Sequence, residues 1–316
     1  MKVLFWSKVP FARTQTLDAL SDLDGVEVQM VESLDDCIAA VGDVDLLVTG
    51  DAPADEAVRV LEALRAGGRA GAIHFISAGR GGFEAAGIPE GIAVTGPIGA
   101  NAATVAEHAA ALTLALYRQI PAITRATADR EWAKHLVREL KSLEGARVLI
   151  VGLGHIGREY AERMGAFGAT TIGLQRTPRP DDSVAELHGL DGLDELLPTV
   201  DVVAITIAQS ESTTGLIDAR RLGLMRPGAV LINVARGGIV DTLALAEALA
   251  AGTIAGAGVD VTDPEPLPAD HPLWTAPNVI ISPHFAGGGS PMAMRRVGQS
   301  AADRVRAMQE EAKHLV

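Results

Sequence analysis

The sequence predicts an α/β protein built as two doubly wound parallel-sheet domains. Short apolar runs alternate with helical stretches along nearly the whole chain, the pattern of repeated βαβ units. The alternation breaks off after about residue 96 and resumes at residue 147, which divides it into two sheets. Hydrophobic residues make up 48% of the chain and aromatics only 3%, so Ala, Val, Leu and Ile must fill the interior. That composition suits parallel strands covered by helices on both faces.

The first series has strands predicted at 3–6, 26–30, 45–49, 72–76 and 92–95, with helices between them, 55–66 being the clearest. Lys8 and Pro10 interrupt the first apolar run. It is too short for a signal-peptide core, and no run approaches a membrane span, so a cytoplasmic protein is expected. The fourth strand leads into Ser77-Ala78-Gly79-Arg80-Gly81-Gly82. Ligands sit at such carboxyl ends in open parallel sheets, and the loop's N–H groups suit a small anion. Cys37 is the only cysteine. It excludes an intrachain disulfide and a site of several thiolates, and it reads as a packing residue in a reducing compartment. No metal site is predicted. A helix over 101–118, with Asn101 as its N-cap, is small and apolar nearly all round. It reads as a buried linker at a hinge or subunit interface, with Glu107 and His108 as satisfied core polar groups.

The second series has strands predicted at 148–151, 170–174, 201–205, 229–233, 255–259 and 278–282, and the chain beyond Pro283 is helical. The first of these strands runs into Gly152, Gly154 and Gly157 at the G-x-G-x-x-G spacing, followed by a helix over 158–167. Strand, glycine turn and helix start in that order form a cradle for the pyrophosphate of a dinucleotide. In such sheets an acidic residue at the tip of the second strand holds the ribose hydroxyls. Here that tip reads Gln175-Arg176-Thr177-Pro178-Arg179, without a carboxylate. Arginines pair with a 2′-phosphate, so NADP(H) is predicted over NAD(H). A net charge of −13 argues against nucleic acid or an anionic membrane as partner.

Three further stretches are the most specific: Asn233-Val234-Ala235-Arg236-Gly237-Gly238, the run from Gly258 to Pro266, and Ser282-Pro283-His284-Phe285-Ala286-Gly287. With the glycine turn they resemble the D-isomer-specific 2-hydroxyacid dehydrogenases, particularly glyoxylate and hydroxypyruvate reductases, over nearly the whole chain. The resemblance implies a Rossmann cofactor domain (99–284) inserted in a flavodoxin-like substrate domain (1–98 and 285–316), with the active site in the cleft. It implies that Arg236 clamps the substrate carboxylate, that His284 is the acid/base, and that Glu265 fixes its ring and favours the imidazolium. It places Ala78, Gly79 and Arg80 on the substrate, and Thr104, His155, Ile156, Thr206, Ala208, Ala235, Asp260 and His284 beside the cofactor, with Asp260 near the carboxamide. The chain departs from the family's common pattern at Arg80, Thr206 and Ala208. Arg80 suits a second acidic group on the substrate, or points to solvent. The segment 129–132 resembles one that helps form the family's homodimer.

The reaction expected is therefore hydride transfer between NADP(H) and a small 2-oxo or D-2-hydroxy acid such as glyoxylate or hydroxypyruvate. Competing readings are a cofactor-sensing, corepressor-like binding protein and a phosphite dehydrogenase-like enzyme. A formate dehydrogenase is disfavoured because that type has glutamine where Glu265 stands.

Overall fold

The computed structural model describes residues 1–314 apart from Val9, Ala70 and Ala78. Two compact units emerge: Met1–Asn101 with Gly289–Val316, and Ala102–Gly288.

The first unit is a five-stranded sheet. Its strands are β1 (Lys2–Trp6), β2 (Glu27–Val31), β3 (Leu46–Thr49), β4 (Ala72–Phe75) and β5 (Ala93–Thr95). They lie in the order β2-β1-β3-β4-β5, and every pairing is parallel. Side chains alternate between faces along a strand. Leu4 and Trp6 of β1 therefore join one core with Leu47, Leu61 and Phe83, while Val3 and Phe5 join the other with Leu20, Val297 and Val305. The helix Pro291–His314 supplies that second face, packing on the helix Arg13–Ser21. Gly298 makes the contact close, since a Cβ there would lie 2.4 Å from the Gln15 carbonyl oxygen. Cys37 is buried among the first core, and burial pushes its thiol up to about 12. It remains a neutral thiol at neutral pH and packs as a small apolar group.

The second unit is a seven-stranded sheet. Its strands are β6 (Arg147–Val151), β7 (Thr170–Gln175), β8 (Glu186–Gly189), β9 (Val202–Ile205), β10 (Val230–Asn233), β11 (Gly256–Val259) and β12 (Val279–Ile281). They lie in the order β12-β11-β10-β9-β6-β7-β8, again all parallel. The direction of winding reverses between β6 and β9, the switch point at which open α/β sheets hold ligands. One strand more is present than the apolar runs predict. β8 reads Glu-Leu-His-Gly and pairs only with β7, so an edge position with a polar face hides it from a search for buried strands. Among the described residues no helix is long and apolar enough to cross a membrane.

Two local expectations change. The helix after the glycine turn runs His155–Ala166, starting three residues before position 158. Glu107, on the helix Ala102–Tyr117, is exposed and not a core group.

His74 of β4 is only 1% exposed. Its Nδ1 lies 2.9 Å from the Thr95 hydroxyl, and its Nε2 is buried without a partner. Burial, then the charge of Arg304, pushes its pKa down to about 4 from 6.5. The unfolded chain therefore binds the extra proton more readily than the folded one between those values. Stability is complete above about pH 6.5 and falls by roughly 3 kcal/mol as pH drops toward 4. Denaturation followed through the buried Trp6 should show this slope, and His74→Asn should flatten it; an unchanged slope in the variant would assign it elsewhere.

Candidate active site

Nearly all the predicted site residues of the second unit leave the carboxyl ends of parallel strands. Gly152 to Gly157 follow β6, and Gln175 to Arg179 end and follow β7. Thr206 and Ala208 follow β9, Ala235 and Arg236 follow β10, Asp260 and Glu265 follow β11, and His284 follows β12. Thr104 lies half-buried on the helix Ala102–Tyr117.

The glycine turn has the shape that a phosphate needs. Gly152 has φ +104°, and a Cβ on it would lie 2.5 Å from the Ile207 backbone. A Cβ on Gly157 would lie 2.4 Å from the Gly152 carbonyl oxygen, whereas one on Gly154 would meet nothing within 4 Å. The first and third glycines are thus demanded by packing, and the second keeps the space before the helix open. No side chain caps the helix His155–Ala166 at Gly154. Its first-turn N–H groups therefore face that space with the positive end of the helix dipole. The cradle fits a pyrophosphate on the chain's own geometry.

Thr206 and Gln175 each make internal bonds at this edge. The Thr206 hydroxyl donates to the Gly152 carbonyl at 2.7 Å, bracing the turn. The Gln175 amide donates to Leu153 O at 3.3 Å and accepts from Arg179 N at 3.1 Å. Its side chain therefore shapes the loop that presents Arg176, Thr177 and Arg179, all of them exposed. His155 and Ala208 are also exposed, Ile156 is half-buried and Ala235 is buried.

Arg236 is positioned by Asn233, the last residue of β10. The Asn233 side chain accepts from Ala235 N at 3.1 Å and donates to Arg236 O at 3.0 Å. The Arg236 guanidinium donates to Ala235 O at 2.7 Å and has no carboxylate partner among the described residues. A half-buried, uncompensated guanidinium is a receptor for an anion. A Cβ on Gly237 would lie 1.9 Å from the Thr262 carbonyl oxygen, so the arginine loop is seated directly on the loop that leads to Glu265.

His284 Nδ1 lies 2.7 Å from Glu265 Oε1, and both side chains are about 45% exposed. An ionised carboxylate only accepts, so Nδ1 carries the proton and Nε2 is the nitrogen that exchanges one. His284 itself adopts φ +52°, a left-handed conformation that costs an L-residue about 1–2 kcal/mol. The turn is held by Asp260. Its carbonyl accepts from His284 N at 2.8 Å. Its carboxylate accepts from Ser282 Oγ at 2.6 Å, Phe285 N at 3.1 Å and Ala286 N at 2.9 Å. Asn233 and Ser282 lie inside the specific motifs but carry no individual expectation from the sequence, whereas His108 is the satisfied, largely enclosed polar group expected of it, with Ser282 as its partner at 2.8 Å.

In the first unit, Ala78 lies outside the described residues. Arg80 pairs with Glu84 at 2.7 Å, both exposed. The N–H of Gly82 is spent on the Asp51 carboxylate at 3.1 Å, so it is not free for an external anion.

Residues 110–286 match the family described as D-isomer specific 2-hydroxyacid dehydrogenase, NAD binding domain. A D-3-phosphoglycerate dehydrogenase of Mycobacterium bovis is 33% identical over 286 residues, 90% of this chain and 53% of that protein. The chain thus spans about half the length of such curated relatives. A glyoxylate reductase of Thermofilum pendens is 37% identical over 230 residues, 70% of this chain and 67% of that one. The crystal structure of a D-isomer specific 2-hydroxyacid dehydrogenase from Xanthobacter autotrophicus Py2, in complex with NADPH and MES, is similar with a TM-score of 0.80. It is 26% identical and covers 98% of this chain and 95% of that one.

The cradle makes a paired prediction. Gly157→Ala should destabilise the second unit by about 1–3 kcal/mol through overpacking. Gly154→Ala should leave the melting temperature nearly unchanged but weaken dinucleotide binding about tenfold or more. Calorimetric melting and titration with dinucleotide separate the two effects.

Proposed function

From the premise that the chain belongs to the D-isomer-specific 2-hydroxyacid dehydrogenase family, we propose that it is an oxidoreductase that reduces a small 2-oxo acid to the D-2-hydroxy acid with NADPH, and runs the reverse reaction with NADP⁺. Glyoxylate and hydroxypyruvate are the substrates of choice. The observation that carries the reading is the His284–Glu265 pair at 2.7 Å, on a strand end next but one to that bearing the unpaired Arg236.

When bound, the nicotinamide supplies the hydride. The protein's part is orientation, charge and one proton. Arg236 binds the substrate carboxylate and draws electron density from the adjacent carbonyl, which a planar fork does better than a point charge. Glu265 holds the Nδ1 proton, so the imidazolium presents its Nε2 proton to the carbonyl oxygen and becomes neutral as the alcohol forms. The glycine turn receives the pyrophosphate. Ala78, Gly79 and Arg80 are assigned to the substrate, and Arg80 must leave Glu84 to reach an anion. Arg176 and Arg179 are assigned to a 2′-phosphate, since both are exposed and neither has a carboxylate partner among the described residues. NAD(H) serves as the weaker cofactor. Homodimerisation is assigned to the second unit, where Trp132 is 93% exposed and Ile120, Ile123 and Val137 are exposed as well.

A panel of 2-oxo acids assayed with both reduced cofactors tests the reading. Steady turnover with NADPH is expected, with kcat/KM exceeding that for NADH; no turnover with any acid, or a preference for NADH, would overturn the corresponding part. His284→Gln should lower kcat about 10²–10⁴-fold, the usual yield of general acid catalysis. Arg236→Lys should raise KM for the acid as well as lower kcat. Arg176→Asp with Arg179→Asp should reverse the cofactor preference. Trp132→Asp should convert a dimer to a monomer in sedimentation.

A further inference from the structure

His108 belongs to the helix Ala102–Tyr117, whose neighbouring buried positions Val105, Ala106, Ala109 and Leu112 are apolar, yet it reaches across to the turn that carries His284. Its Nε2 lies 2.8 Å from Ser282 Oγ and 3.7 Å from Asp260 Oδ1. The ring is largely enclosed, with 20% of the side chain exposed, and the Asp260 carboxylate is 1% exposed. The direction of each bond follows from proton accounting. A carboxylate donates nothing, so the single hydroxyl proton of Ser282 goes to Asp260 at 2.6 Å. Ser282 must then accept from His108, which places a proton on His108 Nε2. The chain of donors runs one way, from His108 through Ser282 to Asp260.

Asp260 is the hub of the His284 turn. It receives the N–H groups of His284, Phe285 and Ala286 as well as the Ser282 hydroxyl. That hub holds a residue in a left-handed conformation, which persists only where the surroundings over-determine it. A second hold comes from Phe285, next to His284, whose ring meets the His108 ring edge to face at 5.3 Å. An apolar residue at position 108 would pack against the sheet without burying a polar ring beside a carboxylate, which is costly unless every bond is made.

Resting on the functional reading above, we infer that His108 is a positioning residue for the proton transfer at His284, acting through Ser282 and Asp260 in its Nε2-protonated form. It touches none of the reacting atoms. It orients the turn on which the acid/base is mounted, and a small displacement there is amplified in rate because proton transfer demands hydrogen-bond geometry.

The test uses His108→Leu, which removes the donor, His108→Gln, which keeps an N–H donor, and Ser282→Ala. His108→Leu and Ser282→Ala are each expected to lower kcat for 2-oxo acid reduction about tenfold, with KM for NADPH within about twofold of the parent. The double variant should be no worse than either single one, because both break the same chain. His108→Gln should restore most of kcat. In the ligand-free protein, long-range ¹H–¹⁵N correlations should show His108 protonated at Nε2, and a single His284 ring signal that doubles or broadens in His108→Leu. Unchanged kcat in His108→Leu, equal loss in His108→Gln, a loss confined to melting temperature and cofactor KM, or an Nδ1-protonated His108 would each overturn the inference. If the parent protein reduces no 2-oxo acid, the functional reading fails, and the resonance measurements still decide whether His108 positions His284.

Discussion

The parallel register of β10, β11 and β12 is the constraint on which the candidate site depends. Asn233 pairs with Val259, and Val259 with Ile281, so the three strands end level with one another. Their next residues carry Arg236, the loop to Glu265, and His284. A slip of one residue in any pairing would exchange the faces of that strand. It would turn Asp260 or Asn233 away from the turns they hold, and the guanidinium, carboxylate and imidazole would lose their common edge. Both faces of β10 are buried, Leu231 in one core with Ala257 and Val259, and Val230 and Ile232 in the other, so a slip would also force side chains shaped for one close-packed core into the other.

Charged groups of the second unit differ in what answers them. The chain is acidic overall, and arginines such as Arg147, Arg158 and Arg221 are answered by carboxylates at 2.7–3.0 Å. These pairs are part-buried, each with one side chain still well open to solvent, and contribute modestly to stability. Arg236 stands without such a partner, held by backbone contacts instead. In the proposed function that leaves its charge available to the carboxylate of an acid substrate. The same contrast holds for acids: Asp260 is saturated by internal donors, whereas Glu265 serves a single imidazole and is half open to solvent.

Several polar groups at the edge of the second sheet hold its loops in shape. Thr206 braces the glycine turn, Gln175 folds the loop after β7, and Asn233 shapes the approach to Arg236. Each satisfies a loop N–H or carbonyl that no ladder reaches, and buried backbone groups must be paired. A ligand edge assembled from loops needs this internal scaffolding before any side chain is free to bind.

The sequence alone determined the alternation of strands and helices, the division into two sheets, the glycine turn and the motifs that carry Arg236, Glu265 and His284. These are local properties: apolar periodicity, the need for a missing Cβ, and short runs whose spacing is read directly. Only the tertiary structure decided that β8 completes the sheet, that Glu107 faces solvent, that Gln175 and Thr206 are braces, and that His108 meets Ser282 from 174 positions away. Those outcomes depend on which groups the folded sheet brings together. A polar side chain carries no mark of its future partner, because hydrogen bonds are chosen by proximity in space and not by neighbourhood along the chain.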